Sequence, residues 1–178
     1  MLQEKYKKEI VLLMKEKFGY KNNLAVPKIK KVVVNIGTGS FSKDEQTRQL
    51  IAKDLTLITG QKPVSTLSKK DISAFKIRQG MVVGMKVTIR GKRMFDFISR
   101  LINIVLPRIR DFRGLSPDSI DKSGNLNIGI REYIIFPELS GEDIKKIFGL
   151  EVTVVTDAKK REEATELFKL MGFPIKSE

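Results

Sequence analysis

The stretch that decides the fold is residues 69–93, KKDISAFKIRQGMVVGMKVTIRGKR. It opens as a basic loop with one aromatic residue, Phe75, and continues as an alternation of apolar and polar side chains. Because successive strand residues point to opposite faces, the alternation predicts a strand whose apolar side packs on a core. The apolar positions are Met81, Val83, Met85, Val87 and Ile89. The opposite side would present Lys86, Thr88 and Arg90, and we expect its partner to be structured RNA.

Outside this stretch, the same periodicities predict four more strands and the helices between them. The strands are residues 31–36, 63–67, 126–130 and 150–156, and the helices are residues 2–18, 42–58, 91–107, 143–148 and 158–171. This order predicts an α+β fold, a mostly antiparallel five-stranded sheet with helices on one face, built as a ferredoxin-like core with an added strand and helix. We expect one domain over residues 1–178, with long loops at residues 68–80 and 107–125.

Local signals predict several helix boundaries and buried faces. Gly19 is a stop signal for the first helix, and Ser42 with Glu45 has capping-box spacing at the start of the second. We expect Pro107 to end the helix that follows Gly91. The predicted buried stripes are Leu2, Tyr6, Ile10, Leu13 and Met14 in the first helix, Phe95, Ile98, Leu101, Ile102 and Val105 in the third, and Ala164, Leu167, Phe168 and Met171 in the last.

The composition disfavours several kinds of site. The chain has no histidine and no cysteine, so it lacks the usual general base, the usual nucleophile pairs, thiolate metal ligands and disulfides. We therefore predict no enzymatic activity, no metal site and no cofactor. Gly37-Thr38-Gly39 after a strand leaves a phosphate-binding loop as an alternative, but Ser42 stands where a dinucleotide motif has its third glycine. A turn is the better interpretation.

Positive charge is concentrated in the middle of the chain. Residues 62–113 carry thirteen Lys/Arg against three acidic residues, a balance of +10, within a net charge of +13 for the whole chain. Such a block is typical of a surface that binds a polyanion, although a solvated basic face is the alternative. No apolar run is long enough to span a membrane, and the run at residues 10–14 is too short for a signal-peptide core. We expect a cytoplasmic protein that does not bind membranes.

By alternation, the uncovered side of the sheet would display cations, amides and a hydroxyl: Lys31, Asn35, Lys86, Thr88, Arg90, Asn127 and Arg131. Such groups suit phosphates and sugars. The first, third and fourth strands place no aromatic residue there, so we expect folded RNA rather than single strands stacked on the sheet. The alternative is a sheet face that is merely solvated. Phe75 either anchors its loop on the core or stacks on a base of the partner.

Several segments resemble a known family. They are KKVVVNIGTG at residues 30–39, KDISAFKIRQGMVVGMKVTIRGKRMFDF at residues 70–97, LPRIRDFRGLSP at residues 106–117 and GNLNIGIREYIIFPE at residues 124–138. In this order and spacing they resemble the family of large-subunit ribosomal protein number five, in its bacterial form, over essentially the whole chain. The resemblance implies a structural constituent of the large ribosomal subunit.

The resemblance also implies partners. It implies that Lys31, Asn35, Gln61 and Thr88 contact 5S ribosomal RNA at the central protuberance. All of these except Gln61, which precedes the second strand, lie on the predicted face that also carries Lys86 and Arg90. It implies that residues 69–80 reach the transfer RNA in the ribosomal P site, through Lys69, Lys70, Ser73, Phe75, Lys76, Arg78 and Gln79. Further implied partners are 23S ribosomal RNA, neighbouring large-subunit proteins and a small-subunit bridge protein, the last through residues 108–123 with Arg108, Arg110 and Arg113. We expect a monomer within the ribosome.

A general RNA chaperone or regulator that uses the same basic face is the alternative hypothesis. Such a protein would bind many RNAs about equally. A ribosomal protein of this family would instead prefer 5S ribosomal RNA clearly over other RNAs, so a competition experiment separates the two hypotheses.

Overall fold

Five strands form one antiparallel sheet in the computed structural model, which describes residues 2–39, 44–139 and 147–176. The strands are β1 (Ile29–Gly37), β2 (Val64–Leu67), β3 (Val82–Ile89), β4 (Leu126–Ile130) and β5 (Leu150–Thr156). Their order across the sheet is β2-β3-β1-β5-β4. The first four in this order build the ferredoxin-like core, and β4 is the added edge strand. The predicted α+β fold class is confirmed.

Four helices accompany the sheet in the described part of the chain. They are α1 (Leu2–Lys5, Tyr6–Ile10 and Val11–Phe18 in succession), α2 (Glu45–Thr59), α3 (Gly91–Arg100, Leu101–Val105 and Leu106–Arg108 in succession) and α4 (Arg161–Met171). Short 3-10 turns occupy Asn23–Ala25, Ser73–Phe75, Pro117–Ser119, Tyr133–Ile135 and Pro137–Leu139. The helix predicted at residues 143–148 falls mostly outside the described residues.

The chain is organised into two compact units, each assembled from separate stretches of sequence. The terminal unit comprises the described residues of Met1–Val32, Ile89–Ile128 and Thr153–Glu178, and in it α1 packs on α3 and α4. The hairpin unit comprises the described residues of Val33–Thr88 and Gly129–Val152, and in it α2 packs on the Pro137–Leu139 turn. The single-domain organisation expected from the sequence stays a prediction.

The long strands bury one side and leave the other open. Val34 and Ile36 of β1 are completely buried, whereas Asn35 between them is exposed. In β5, Val152 is completely buried and Glu151 is exposed. This alternation follows from the period of two in strand side-chain direction. The edge strand β2 has no buried residue. One side of the sheet is therefore available to solvent or a partner.

The inward side of β3 is buried only in its second half. Met85, Val87 and Ile89 are buried as predicted, whereas Met81 and Val83 are only half-buried. The strand enters from the loop that joins it to β2, so its first residues have less core to pack against. The predicted apolar side is correct, and its burial increases along the strand.

The buried face of α1 differs from the predicted stripe at three positions, of which Leu2 and Tyr6 are half-buried. Ile10 and Met14 are buried as expected, but Leu13 is exposed and Val11 is buried instead. The cause is the π-helical segment Tyr6–Ile10, in which each turn holds an extra residue and shifts the phase of the stripe. Gly19 ends the helix in the left-handed conformation with φ 70°, as predicted.

The buried face of α3 also differs from the prediction. Phe95 and Ile102 are half-buried, and Met94 and Phe97 are buried in their place. The predicted stripe began one position too late, because helical spacing from Met94 places Phe97, rather than Phe95, on the core side. Pro107 lies within the final turn, which runs to Arg108, so the predicted end of this helix is one residue early.

α2 begins three residues and ends one residue later than the sequence predicts, and α4 begins three residues later than predicted. Asp44 caps α2, because its Oδ1 accepts a hydrogen bond from the backbone amide of Thr47 at 3.0 Å. Ser42, the predicted cap, lies outside the described residues. α4 begins at Arg161 rather than Ala158 and buries all four predicted residues, Ala164, Leu167, Phe168 and Met171.

Candidate nucleic-acid interface

Asn35, Lys86 and Thr88 lie on the open side of the hairpin unit. The backbone amide of Thr38 donates to the carbonyl of Val83 at 2.9 Å and fixes the register of β1 against β3. Because the strands are antiparallel, counting back from this bond places Asn35 level with Lys86. Asn35 and Lys86 are exposed and Thr88 is half-buried. An amide, an ammonium group and a hydroxyl therefore lie on neighbouring strands, and what they bind stays a prediction.

The terminal unit has its own set of open-side polar residues. Arg90 is exposed, and Lys31 and Asn127 are half-buried. The Thr153 hydroxyl donates to the side-chain carbonyl of Asn127 at 2.9 Å. That bond turns the carbonyl of Asn127 toward β5 and leaves its amide hydrogens for another acceptor. Thr153 was not singled out from the sequence, although the outward positions of β5 could have identified it.

Gly84 interrupts the polar side of β3 for a packing reason. A Cβ at this position would lie 2.8 Å from Oγ1 of Thr66 and 2.9 Å from the carbonyl oxygen of Ile36. Both distances are shorter than real Cβ contacts, so only glycine fits between the neighbouring strands here. Gly84 is therefore buried, unlike Lys86 and Thr88 further along the strand.

A shallow depression of about 430 Å³ lies on the open side of the hairpin unit. Asn35 and Gly37 contribute from β1, Gly129, Ile130 and Arg131 from the end of β4, and Gly149, Leu150 and Glu151 from the start of β5. The depression stays open because its three glycines have no side chains to fill it. Asn35 and Arg131, two predicted open-face residues, thus line one feature. Glu151 was missed by the sequence analysis, although the alternation of β5 places it outward.

Gln61 lies in the turn between α2 and β2 rather than on a strand. Its backbone is fixed by Thr59, whose hydroxyl accepts from the Gln61 amide at 3.3 Å. The single hydrogen of that hydroxyl lies within reach of the carbonyl oxygens of Leu55 at 2.6 Å and Gln61 at 3.0 Å. Gly60, with φ 67°, provides the left-handed residue that ends α2. The side chain of Gln61 is exposed. This position was reached only through the family resemblance, since no strand alternation points to it.

The loop between β2 and β3 is a continuation of their hairpin. Ile72 and Ile77 pair across it, and the amide of Ser68 donates to the Met81 carbonyl at 2.8 Å. At the tip, Ser73–Phe75 forms a 3-10 turn. The carboxylate of Asp71 accepts from the backbone amide of Gln79 at 2.7 Å. We call residues 68–81 the hairpin tip. Its backbone is held by bonds within the tip itself.

The hairpin tip exposes the residues predicted to face a nucleic acid, with Lys76, Arg78 and Phe75 among them. The full set is Lys69, Lys70, Ser73, Phe75, Lys76, Arg78 and Gln79. Its four cations form no ion pair with any residue in the described ranges, and Asp71 is its only acidic residue. The surrounding potential is therefore positive. Phe75 is 72% exposed, so the interpretation that it anchors the loop on the core is wrong, and the stacking interpretation stays a prediction.

The long loop after α3 is attached to the rest of the terminal unit. We call residues 108–125, from the last residue of α3 onward, the connection. Leu115 and Ile120 are buried, and the Leu115 amide donates to the Pro174 carbonyl at 2.7 Å. The guanidinium of Arg161 donates to the carbonyl of Pro117 at 2.7 Å and to Asp118 at 3.1 Å. The connection is a packed segment rather than a free loop.

Asp121 organises the turn that leads into β4. Its Oδ1 accepts from the backbone amides of Ser123 at 2.9 Å and Asn125 at 2.8 Å, and its Oδ2 accepts from the Asn125 side-chain amide at 2.9 Å. Burial alone would raise the pKa of Asp121, but these hydrogen bonds together hold the pKa of its carboxyl below its ordinary value. This carboxylate therefore has a structural role.

The arginines at the start of the connection have a different environment. Arg108, Arg110 and Arg113 are all exposed, ahead of the buried residues of the segment. None of them forms an ion pair within the described part of the chain. Their charges are therefore available to a partner, as the sequence analysis expected.

Other classes of site were searched for in the described residues. No group of three or more His, Cys, Asp or Glu side chains there is arranged to hold a metal ion. No helix in the same residues is long and apolar enough to cross a membrane. The features that remain are the open side of the sheet, the hairpin tip and the exposed arginines.

Comparison with known proteins assigns both halves of the chain to one group. A family model described as ribosomal protein L5 matches residues 22–78, and a second model, for the C-terminus of the same ribosomal family, matches residues 82–175. Curated relatives named large ribosomal subunit protein uL5 include those of Halothermothrix orenii, 53% identical over 175 residues, and Syntrophomonas wolfei, 54% identical over 175 residues. Each alignment covers 98% of this chain and 98% of the relative. The protein of Carboxydothermus hydrogenoformans is 51% identical over 174 residues.

Proposed function

Because the chain belongs to the ribosomal protein L5 family, a structural and non-enzymatic family of the large ribosomal subunit, we propose that it binds 5S ribosomal RNA and holds it on the central protuberance. The binding surface is the open side of the sheet. Its contacts are Lys31, Asn35, Lys86, Thr88 and Arg90, and Gln61 adds a further contact from the turn between α2 and β2. As a ribosomal protein it acts in the ribosome, which we place in the cytoplasm, with one copy per particle.

The observation that carries this proposal is the chemistry of the open side. Amide, hydroxyl and ammonium groups alternate with fully buried apolar residues along the same strands. Lysine and arginine neutralise phosphates, while asparagine and threonine add directional hydrogen bonds to phosphates and 2′-hydroxyls. None of the described residues exposed on the open side of β1, β3, β4 or β5 is aromatic. Such a surface suits a folded RNA read by shape better than a stacked single strand.

We assign the hairpin tip to the transfer RNA in the P site. The tip extends the hairpin with four exposed cations and the exposed ring of Phe75. A cationic loop with one aromatic side chain can follow a phosphate backbone and stack on one base. Its backbone is held by its own hydrogen bonds, so binding does not require the tip to become ordered first.

We assign the exposed arginines at the start of the connection, Arg108, Arg110 and Arg113, to a bridge with a small-subunit protein. A guanidinium group forms bidentate hydrogen bonds with carboxylates and with phosphates. The buried residues of the connection hold this part of the chain in place, which limits the entropy cost of binding. Ribosomal RNA of the large subunit and neighbouring large-subunit proteins are the remaining partners.

A competition experiment tests the proposal. The full-length protein is incubated with labelled 5S ribosomal RNA and increasing transfer RNA or an unrelated RNA duplex, at two salt concentrations. We expect a strong preference for 5S ribosomal RNA that persists at the higher salt, because directional hydrogen bonds are less salt-sensitive than phosphate neutralisation. Equal binding to all three RNAs that disappears with salt would instead favour a general RNA chaperone.

A further inference from the structure

Glu151 is the feature of the open side that phosphate binding does not explain. Its exposed carboxylate lies among groups proposed to contact a polyanion, where it would repel phosphates. It lines the same depression as Arg131, yet it forms no ion pair with any residue that the structure describes. A carboxylate in an RNA-binding surface offsets this repulsion when it accepts hydrogen bonds from the RNA. The N–H groups on the edges of the RNA bases are hydrogen-bond donors that lie in one plane, as the two oxygens of a carboxylate do.

We propose that the depression receives one unstacked guanine of the bound RNA, with Glu151 accepting hydrogen bonds from the N1–H and N2–H of its Watson–Crick edge. This inference rests on the RNA-binding function proposed above. Guanine is the base whose Watson–Crick edge offers two adjacent donors to the two oxygens of one carboxylate. Arg131 and Asn35 line the same depression and supply donors for the O6 atom beside them.

The volume of the depression is large enough for a single base. Its volume of about 430 Å³ lies within the roughly 300–1,000 Å³ that small-ligand sites span. A Cβ added at Gly37 or Gly129 would meet no other atom within 4 Å, so both glycines border open space rather than packed protein. Neither has a positive φ. Larger residues are therefore compatible with the fold at these positions, and they would occupy the volume that we assign to the base.

Nuclear magnetic resonance of the full-length protein tests the recognition directly. The amide signals of Gly37, Gly129 and Gly149 report on the depression, and the probe is guanosine 5′-monophosphate at millimolar concentration. We expect these signals to shift with this nucleotide, to shift less with inosine 5′-monophosphate, which lacks the 2-amino group, and to stay unchanged with adenosine 5′-monophosphate. Equal shifts with all three nucleotides, or no shift with any, would overturn the inference.

The substitution Glu151→Gln separates two explanations, because an uninvolved carboxylate and a base-binding carboxylate predict opposite changes in the affinity for 5S ribosomal RNA. Removal of a negative charge strengthens phosphate binding, so an uninvolved carboxylate predicts equal or tighter binding of 5S ribosomal RNA. Removal of a bidentate acceptor predicts binding that is about tenfold weaker. Glu162→Gln is the matched control, because Glu162 is exposed on α4 and makes the same charge change elsewhere. We expect the weaker binding for Glu151→Gln alone.

A steric variant provides an independent check. Gly129→Val should fill the depression and abolish the guanosine-dependent shifts without lowering the melting temperature. Ser65→Val adds a similar side chain at an exposed position of β2, outside the depression, and should leave the shifts unchanged. If the protein prefers 5S ribosomal RNA but Glu151→Gln binds it as tightly as the wild type, the inference fails and the proposed function stands. If the 5S preference is absent, the proposed function fails, and the nucleotide titration still decides the inference.

Discussion

The hairpin tip and the connection are both long and rich in polar residues, and the sequence alone describes both as long loops. Their structures differ in what holds them. The connection buries Leu115 and Ile120 and is hydrogen-bonded to Pro174. The hairpin tip buries none of its residues and is held by bonds within itself. Length and polarity therefore do not identify a mobile or functional loop, whereas the absence of buried anchors leaves the tip's side chains exposed for binding.

Substitution of one isoleucine in each region gives the largest expected difference in the free energy of unfolding. Ile120 is 2% exposed in the connection, and Ile72 is 42% exposed in the hairpin tip. We expect Ile120→Ala to lower the free energy of unfolding by about 2–4 kcal/mol, because it leaves a cavity in a packed site. Ile72→Ala should change it by less than about 1 kcal/mol. Chemical denaturation measures both, and similar decreases would contradict the distinction.

Phe75 tests whether the exposed residues of the tip are used for binding. We expect Phe75→Ala to leave the melting temperature unchanged, since the ring is exposed rather than packed in the core. The same variant should weaken transfer RNA binding by about 1–3 kcal/mol, the range for one stacked base. Phe75→Tyr keeps the ring and is the control. A clear decrease in stability for Phe75→Ala, with unchanged transfer RNA affinity, would refute the stacking assignment.

Asp121 and Asp71 each accept a backbone hydrogen bond in their loop, but Asp121 accepts three hydrogen bonds and Asp71 one. We expect Asp121→Ala to cost about 1–2 kcal/mol of stability, because its charge-assisted bonds are removed, and Asp71→Ala to cost less. The folded-state pKa of Asp121 is depressed, so its contribution is complete above its unfolded pKa of about 3.9 and disappears as the pH falls through the folded value.

The pH dependence of unfolding tests whether the contribution of Asp121 to stability decreases on acidification. The stability difference between the wild type and Asp121→Ala should be constant near neutral pH and should shrink as the solution is made more acidic than about pH 4. A difference that grows on acidification would mean that the carboxylate destabilises the turn.

The smallest expected effect on stability comes from the charges of the tip. Replacement of Lys69, Lys70, Lys76 and Arg78 by glutamine should change the free energy of unfolding by less than about 0.5 kcal/mol, because surface substitutions away from packing features usually do. The salt dependence of transfer RNA binding should weaken by about 0.7–0.9 in slope for each phosphate that the variant no longer neutralises. An unchanged slope would contradict the assignment of the hairpin tip to transfer RNA binding.

The sheet is well predicted from the sequence because burial on one side imposes a period of two that helices do not produce. The five strands were predicted to within two residues at each end, and Asn35, Lys86 and Thr88 were placed on the open side. Helix phase was less predictable, because the π-helical segment in α1 shifts the buried stripe without a clear sequence signal, and the stripe of α3 begins at Met94 rather than Phe95. Gln61 and Glu151 illustrate the same limit for the site, since the first lies in a turn and the second carries a charge opposite to the expected one.

The most direct test of the account is a crossed binding measurement with two variants and two RNAs. Asn35→Ala combined with Thr88→Val changes the open side of the sheet, and the fourfold glutamine variant changes the hairpin tip. We predict that the first variant binds 5S ribosomal RNA about tenfold or more weakly and folds normally, while the second has reduced affinity mainly for transfer RNA. Retention of full 5S affinity by the folded Asn35→Ala/Thr88→Val variant would contradict the assignment of 5S binding to the open side.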